Sequence, residues 1–223
     1  MFTVQDIKVV VSRYWSERAA GFDLGASHGI LNEAQHQAWL ELLREVAGPP
    51  PLRALDVGCG TGFLALRMAE LGHTAVGVDL STEMLAAAQR KAAGTGLPVT
   101  FQLGDAESPP PDGAPYDVIL ERHVIWTLPQ PREALRAWRA LFKPGGLLVL
   151  IEGIFDMSDR TVYQELESQL PLYGGRPAEE LATLLQAEGF VQTAVRPLMD
   201  AALWLEMPTR PRFMVTGRRP FAH

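Results

Sequence analysis

Apolar and polar positions follow two rhythms along this chain, and the rhythm changes near residue 50. Before that point the spacing is helical. Val4, Ile7, Val10, Val11 and Tyr14 recur at three- and four-residue intervals behind Thr3, a hydroxyl suited to an N-cap, which predicts a helix over 3–19. Trp39, Leu42, Leu43 and Val46 line one face of a second helix over 32–47. Asn32 with Gln35 resembles a capping box at its start, and Gly48 with prolines 49–51 ends it.

From residue 52 short apolar runs alternate with helical stretches. The runs "LRALDV" (52–57), "TAVGVDL" (74–80), "VTFQL" (99–103), "YDVILE" (116–121) and "LLVLIEG" (147–153) read as strands. Helices are expected over 62–71, from Ser81 to Ala93, and from Pro131 at position N1 to Phe142. A proline-rich loop fills 108–115, and "KPGG" is a turn ahead of the fifth strand. Strands that are apolar on both faces, with helices between them, mark a parallel sheet covered on both sides.

The ending differs. A helix over 177–188, with Pro177 at N1 and Gly189 past its end, precedes "FVQTAVRPL" (190–198) and "RPRFMVTGR" (210–218). Without a convincing helix between them, these two strands read as a final antiparallel pair. Phe213 and Val215 alternate with Arg210 and Arg212, which places the arginines on a solvated outer face. Residues 154–176 fit no strand, and the expectation there is a helical lid.

Composition narrows the class. With 223 residues, 47% hydrophobic and 21% charged, the chain suits a globular fold of one domain. A net charge of −6 speaks against a nucleic-acid partner. Cys59 is the lone cysteine, so neither an internal disulfide nor a thiolate metal cluster can form. Histidines 28, 36, 73, 123 and 223 show no metal-ligand spacing, so no metal is expected. The start "MFTVQDIKVVVSRYW" has early charges and no long apolar core, so a cytoplasmic protein without a membrane span is expected.

The chemistry begins at "LDVGCGTGFLAL" (55–66), a glycine loop between the first strand and its helix. Gly58, Gly60 and Gly62 permit close backbone approach, and the helix behind them aims free N–H groups at a ligand. Three ligands compete. A nucleotide P-loop needs a lysine after the glycines, and none is present. The dinucleotide fingerprint needs a third glycine where Phe63 stands. Asp56, two residues before the first glycine, repels phosphate but suits a cationic amino group or sulfonium. Asp79, at the end of the second strand, is placed to accept from ribose hydroxyls.

"LDVGCGTG", "VGVDLS", "LGDAE" and "LFKPGGLLVL" together resemble the class I S-adenosylmethionine-dependent methyltransferases, in particular the small-molecule group called methyltransferase type 11. The four motifs lie in order and at family spacing over residues 50–153. The resemblance implies a Rossmann-like α/β fold: a seven-stranded, mostly parallel sheet with one antiparallel strand and helices on both faces. It divides the chain into an N-terminal helical cap (1–48), a cofactor-binding core (50–153), the lid (154–176) and a C-terminal helix with a strand pair (177–223). The implied cofactor is S-adenosyl-L-methionine. By position, Asp56, Gly58, Cys59, Gly60 and Thr61 would hold its methionine part, Cys59 as a small packing residue and not a nucleophile. Asp79 would bind the ribose beside Leu80 and Met84, and Asp105 with Ala106 the adenine. Glu121 and Arg122 would flank the methionine amino group, and the stretch from Tyr14 to Phe22 would close over the cofactor.

Methyl transfer from a sulfonium needs positioning and water exclusion more than an obligatory residue. "LERHVIWTLPQP" (120–131) leaves the fourth strand toward the acceptor, and His123 is its candidate base or acceptor contact. Trp126 could stack on an acceptor or belong to the core, and His28 lies in a loop able to reach the pocket. The segment lacks the N-P-P-Y or D-P-P-Y sequence of amino-methyltransferases that act on nucleic acids. The expected partner is therefore a small-molecule methyl acceptor, with a homodimer left open. Two alternatives stay open: a protein that binds the cofactor without transferring methyl, and a protein methyltransferase.

Overall fold

The computed structural model describes residues 2–25, 27–158 and 160–221, so His223 lies outside it. Helix α1 (Val4–Ser16) opens on a complete capping box. The Asp6 N–H donates to Thr3 Oγ1, and the Thr3 N–H donates to Asp6 Oδ2. Helix α2 (Glu33–Ala47) starts as its sequence implies, with the Gln35 N–H on Asn32 Oδ1. The return bond is displaced by one residue, because Gln35 Oε1 accepts from Leu31 instead of Asn32.

Seven strands follow: β1 (Arg53–Val57), β2 (Thr74–Asp79), β3 (Val99–Leu103), β4 (Tyr116–Arg122), β5 (Phe142–Gly153), β6 (Val191–Pro197) and β7 (Arg212–Arg218). Their order is β3-β2-β1-β4-β5-β7-β6. The first five neighbours pair parallel, and β7 runs antiparallel to both β5 and β6. One reversed strand in a seven-stranded sheet is the architecture the sequence implied. The strands are linked by α3 (Phe63–Glu70), α4 (Thr82–Ala92), α5 (Pro131–Leu141), the short α6 (Thr161–Gln164), α7 (Ala178–Ala187) and the short α8 (Ala201–Trp204).

The pleat sorts side chains to two cores. Leu55, Val57, Ile119, Leu148 and Leu150 face Leu135 and Trp138 of α5 and Leu181 and Leu185 of α7. Their neighbours Ala54, Val118, Leu120, Val149 and Ile151 face Trp39 and Leu43 of α2 and Leu64 and Met68 of α3. Burial on both faces explains why these strands read as unbroken apolar runs.

Three local expectations need correction. "KPGG" is a bulge inside β5 and not a turn before it. Tyr116 pairs with Phe142 and Val118 with Leu147, so the extra residues are absorbed within the strand. Pro177 is the N-cap of α7 and not its first residue; its ψ of 146 is extended. Arg212 does not point to solvent. It is half-buried, with its guanidinium 5.0 Å from the Phe155 ring centroid.

Residues 154–176 contribute α6 and a 3-10 turn (Glu167–Gln169). Tyr163, Leu166 and Leu170 from this segment pack with Ile7 and Tyr14 of α1 and with Trp126 and Phe155. Trp126 is thus a core residue. No helix among the described residues is long and apolar enough to cross a membrane.

Candidate active site

Strand β1 lies between β2 and β4, whose chains leave in opposite directions across the sheet, and a crevice opens where they part. The glycine loop lies at this point. The Cys59 N–H donates to Val78 O (2.9 Å), and the Gly60 N–H to Asp79 Oδ2 (2.8 Å). Gly58 has a φ of 65, and a Cβ there would sit 2.5 Å from Val124 Cγ2. Glycine is therefore demanded twice at this position, by conformation and by space.

The crevice widens into a cleft of about 1010 Å³ between protein atoms, its mouth included. Most of the expected site residues line it: Asp56, Gly58, Cys59, Gly60, Asp79, Leu80, Met84, Asp105, Ala106, Arg122 and His123. Three do not. Thr61 turns away; its hydroxyl donates to Asp23 Oδ1 (2.6 Å) and accepts from Lys91 Nζ (3.0 Å), which ties the N-terminal segment to α4. Tyr14 packs edge-on against Tyr163 (5.0 Å) behind the cleft wall. Glu121 is buried beneath the loop and accepts from the Val124 and Ile125 N–H groups (2.9 and 3.3 Å).

The roof comes from a different source than expected. No described residue of the 154–176 segment lines the cleft. Lys8, Val11, Ser12 and Trp15 of α1 do, followed by Phe22 and His28. The spacing i, i+3, i+4, i+7 marks one helix face, and Tyr14 misses that face. The apolar periodicity of α1 marks the face toward residues 154–176 and carries no sign of Lys8 and Ser12 on the cleft face. Phe63, Leu64, Val124, Thr127, Leu128 and Pro129 complete the lining.

Three carboxylates lie along the cleft in different environments. Burial pushes Asp56 up to about 7, although the Ala65 N–H (2.9 Å) and the nearby Arg122 favour its ionised form. Burial also raises Asp79, against hydrogen bonds from the Ser81 and Gly60 N–H groups. Asp105 holds Lys8 Nζ on Oδ2 (2.6 Å) and the Glu107 N–H on Oδ1 (2.8 Å). Ala106 is fixed by Trp138 Nε1, which donates to its carbonyl (2.6 Å).

His123 has a φ of 62, unusual for a residue with a Cβ, and its N–H donates to Ile151 O (3.0 Å). The ring stacks on Trp204 (5.8 Å between centroids, 16° between planes) and meets Phe155 edge-on (5.0 Å). Burial, then Arg122 and Arg212, keep its pKa well below the ordinary histidine value. The imidazole is therefore neutral at physiological pH and weakly basic. Cys59 is buried, with its thiol pushed well up by burial and then by Asp56 and Asp79, so it offers no thiolate nucleophile.

The family model for the methyltransferase domain matches residues 55–150, the stretch that carries this loop and these acids. Residues 55–150 thus match a methyltransferase domain. The chain is 39% identical over 112 residues to a ubiquinone biosynthesis O-methyltransferase of Roseobacter denitrificans, covering 49% of this chain and 45% of that protein. A protein of the same name from Caulobacter sp. is 33% identical over 152 residues, 66% of this chain and 60% of the relative. The chain thus spans about half the length of the curated relatives it matches. Among solved structures, the [4+2]-cyclase SpnF superposes with a TM-score of 0.73 at 20% identity, covering 99% of this chain and 98% of that one. Magnesium protoporphyrin IX methyltransferase from Synechocystis, solved with SAH bound, gives 0.67 at 20% identity, over 96% and 100%. At that identity the likeness is one of fold.

Proposed function

We propose that this chain transfers a methyl group from S-adenosylmethionine to a small-molecule acceptor. One observation carries the reading: a single cleft is lined by a glycine loop without a Cβ, a desolvated acid at Asp56, and further acids at Asp79 and Asp105. A phosphate ligand would meet repulsion at all three acids. A nucleoside with a cationic amino-acid tail meets an acceptor at each point. In this reading Asp56 faces the ammonium, Asp79 the ribose hydroxyls, and Asp105 with Ala106 the adenine edge. Each oxygen of Asp79 holds one N–H and keeps a lone pair for a hydroxyl.

When bound, the cofactor supplies an electrophilic methyl group on a positively charged sulfur. The chain's own residues orient the acceptor and exclude water. Trp15, Phe22 and Val11 roof the cleft, and neutral His123 offers a hydrogen bond to the acceptor without holding a strong base ready. The name of the Roseobacter and Caulobacter relatives favours oxygen as the methylated atom. A cytoplasmic location and a substrate other than nucleic acid belong to the same proposal.

Calorimetry with S-adenosylmethionine and S-adenosylhomocysteine tests the reading. Both should bind, and Asp79→Ala should abolish binding. No binding at millimolar ligand removes the proposal. The SpnF likeness shows that this fold also serves a cyclase, so binding without turnover over a panel of acceptors would favour the cofactor-binding alternative.

A further inference from the structure

Three guanidinium groups from three separate segments lie around His28 and His123: Arg122 lines the cleft, Arg160 lines the adjoining hollow that shares His28, and Arg212 stands against the rings that hold His123. Arg122 lines the cleft and donates to Ser27 O (2.9 Å) and His28 O (3.1 Å), with its guanidinium 3.6 Å from the Phe63 ring centroid. Arg212 lies 5.0 Å from the Phe155 ring and 5.9 Å from the Trp204 ring, the two rings that hold His123. Arg160 lies 5.3 Å from the Trp126 ring and 5.9 Å from Phe155. None of the three forms an ion pair with a carboxylate among the described residues.

The acids that face them do not cancel this charge. Glu152 faces Arg212, but it is buried beside Glu121 and its pKa is pushed well up by burial and by that neighbour. Asp56 faces Arg122 and is itself raised to about 7 by burial. Asp23 also faces Arg122, but is engaged by Lys91 (2.8 Å) and Thr61. Asp156 is taken by Arg210 (2.6 Å). Burial and the same three arginines push His28 down to about 4, and His123 is also held neutral. The three guanidinium groups therefore stand at this end without a carboxylate at ion-pair distance among the described residues. The walls are flat, with Phe22 and His28 stacked at 4.4 Å, and the buried His123 Nε2 has no partner among the described residues.

We propose that this end of the cleft is the acceptor subsite, and that it holds a planar acceptor as an anion, such as a phenolate, enolate or carboxylate, with its charged oxygen toward Arg122 and in the field of Arg160 and Arg212 beyond the two histidines. The proposal rests on the methyltransferase reading. Burial, the larger cause at His28 and His123, disfavours any ion here, but the Coulomb field of the three arginines opposes imidazolium and favours phenolate, and that field must outweigh burial for the acceptor to bind ionised. A hydroxyl acceptor then loses its proton to solvent on binding, without a basic histidine. Its oxygen lone pair forms the O–CH₃ bond as the C–S bond breaks. The electron pair of that bond stays on sulfur, so anion and sulfonium become a neutral ether or ester and a neutral thioether.

The probe is p-nitrophenol, whose phenol and phenolate absorb at different wavelengths. It is titrated with the whole protein, with and without S-adenosylhomocysteine. The bound probe should ionise at lower pH than the free probe, with roughly tenfold more phenolate at a given pH, a shift of about one unit. Arg160→Met and Arg212→Gln should shrink the shift, and Arg212→Lys, which keeps the charge against the same rings, should retain it. A bound probe that titrates like the free one, an Arg212→Lys variant no better than Arg212→Gln, or no binding of the probe at all would overturn the proposal. Calorimetry with S-adenosylhomocysteine runs beside it. Cofactor binding without probe ionisation sinks the anion subsite alone, and probe ionisation without cofactor binding sinks the methyltransferase reading instead.

Discussion

Lys8 reaches from the N-terminal helix to Asp105 and donates to its carboxylate at 2.6 Å. The same ammonium meets Glu107 at 2.5 Å. Burial disfavours the charge on Lys8, but the hydrogen bonds to both acids outweigh it and its pKa is raised. The roof of the cleft is thus pinned to the acid expected to receive the adenine. Two weaker ties assist: Ser12 Oγ donates to Leu80 O (3.0 Å), and the Ser16 and Ser81 hydroxyls share a bond of 2.8 Å.

Lys8→Met should release the pin and keep the helix. A partly buried, charge-assisted pair of this kind contributes about 1–2 kcal/mol. Limited proteolysis of the N-terminal segment should speed up roughly five- to thirtyfold, because cleavage tracks the population of the open form. An unchanged cleavage rate would mean that the serines and the Tyr14–Tyr163 packing hold the roof alone.

Gly58→Ala should be far more disruptive than its one added methyl suggests. The position has a φ of 65, and the new Cβ would press within 2.5 Å of Val124. The left-handed conformation alone costs about 1–2 kcal/mol for a residue with a Cβ. Displacing Val124 disturbs the loop that presents His123. A lower melting temperature together with loss of S-adenosylhomocysteine binding is the expected result. Wild-type affinity would show that the loop can shift without harm to the site.

These residues show which parts of the site were legible in the chain. Gly58, Asp79 and Asp105 stand at strand ends, where sequence spacing fixes position in space, and all three line the cleft. The sheet was legible for the same reason, since strands buried on both faces carry no competing polar pattern. Lys8 was not legible. A lysine on an amphipathic helix looks solvated, and only tertiary packing turns that face toward Asp105. Arg212 was hidden in the same way: it alternates with Phe213 and Val215, but Phe155 and Trp204 cover the face it points to. The bulge at "KPGG" was hidden because a proline with two glycines signals a turn and an interrupted strand equally.

Cofactor binding should release a proton through Asp56. Its carboxyl, raised to about 7 by burial, is mostly protonated at about pH 6. A bound ammonium favours the ionised form and lowers that value, so the proton leaves to buffer. The calorimetric enthalpy of S-adenosylhomocysteine binding should therefore differ between two buffers of unequal ionisation enthalpy. The difference should vanish in Asp56→Asn. Equal enthalpies in both buffers with the wild-type chain would remove Asp56 from the ammonium site.

The last prediction concerns two buried acids: Glu121, which the resemblance placed beside the methionine amino group, and Glu152, which no sequence pattern singled out. Glu121 is the penultimate residue of β4 and Glu152 that of β5; both are buried and they lie side by side. Burial pushes Glu121 up to about 7, and burial with the neighbouring Glu121 pushes Glu152 well above its ordinary range. Glu121 Oε2 holds the Val124 and Ile125 N–H groups, so the pair sits beneath the loop that carries His123. An acid whose folded pKa exceeds its unfolded value binds its proton more tightly in the fold. The stability it contributes is full at low pH and is lost as pH rises from the unfolded value near 4.5 through the folded one. Below about pH 6.5 the depressed histidines His28, His73 and His123 act in the opposite sense, so the melting temperature should fall as pH climbs from about 6.5 to about 8. Glu152→Gln keeps the hydrogen-bonding capacity and removes one titrating proton, so its melting temperature should fall less over the same range. Asp56 titrates in this window too, so part of the slope should survive in Glu152→Gln and decline further in the double variant with Asp56→Asn. A slope as steep in Glu152→Gln as in the wild type would show that Glu152 is not a titrating member of the pair.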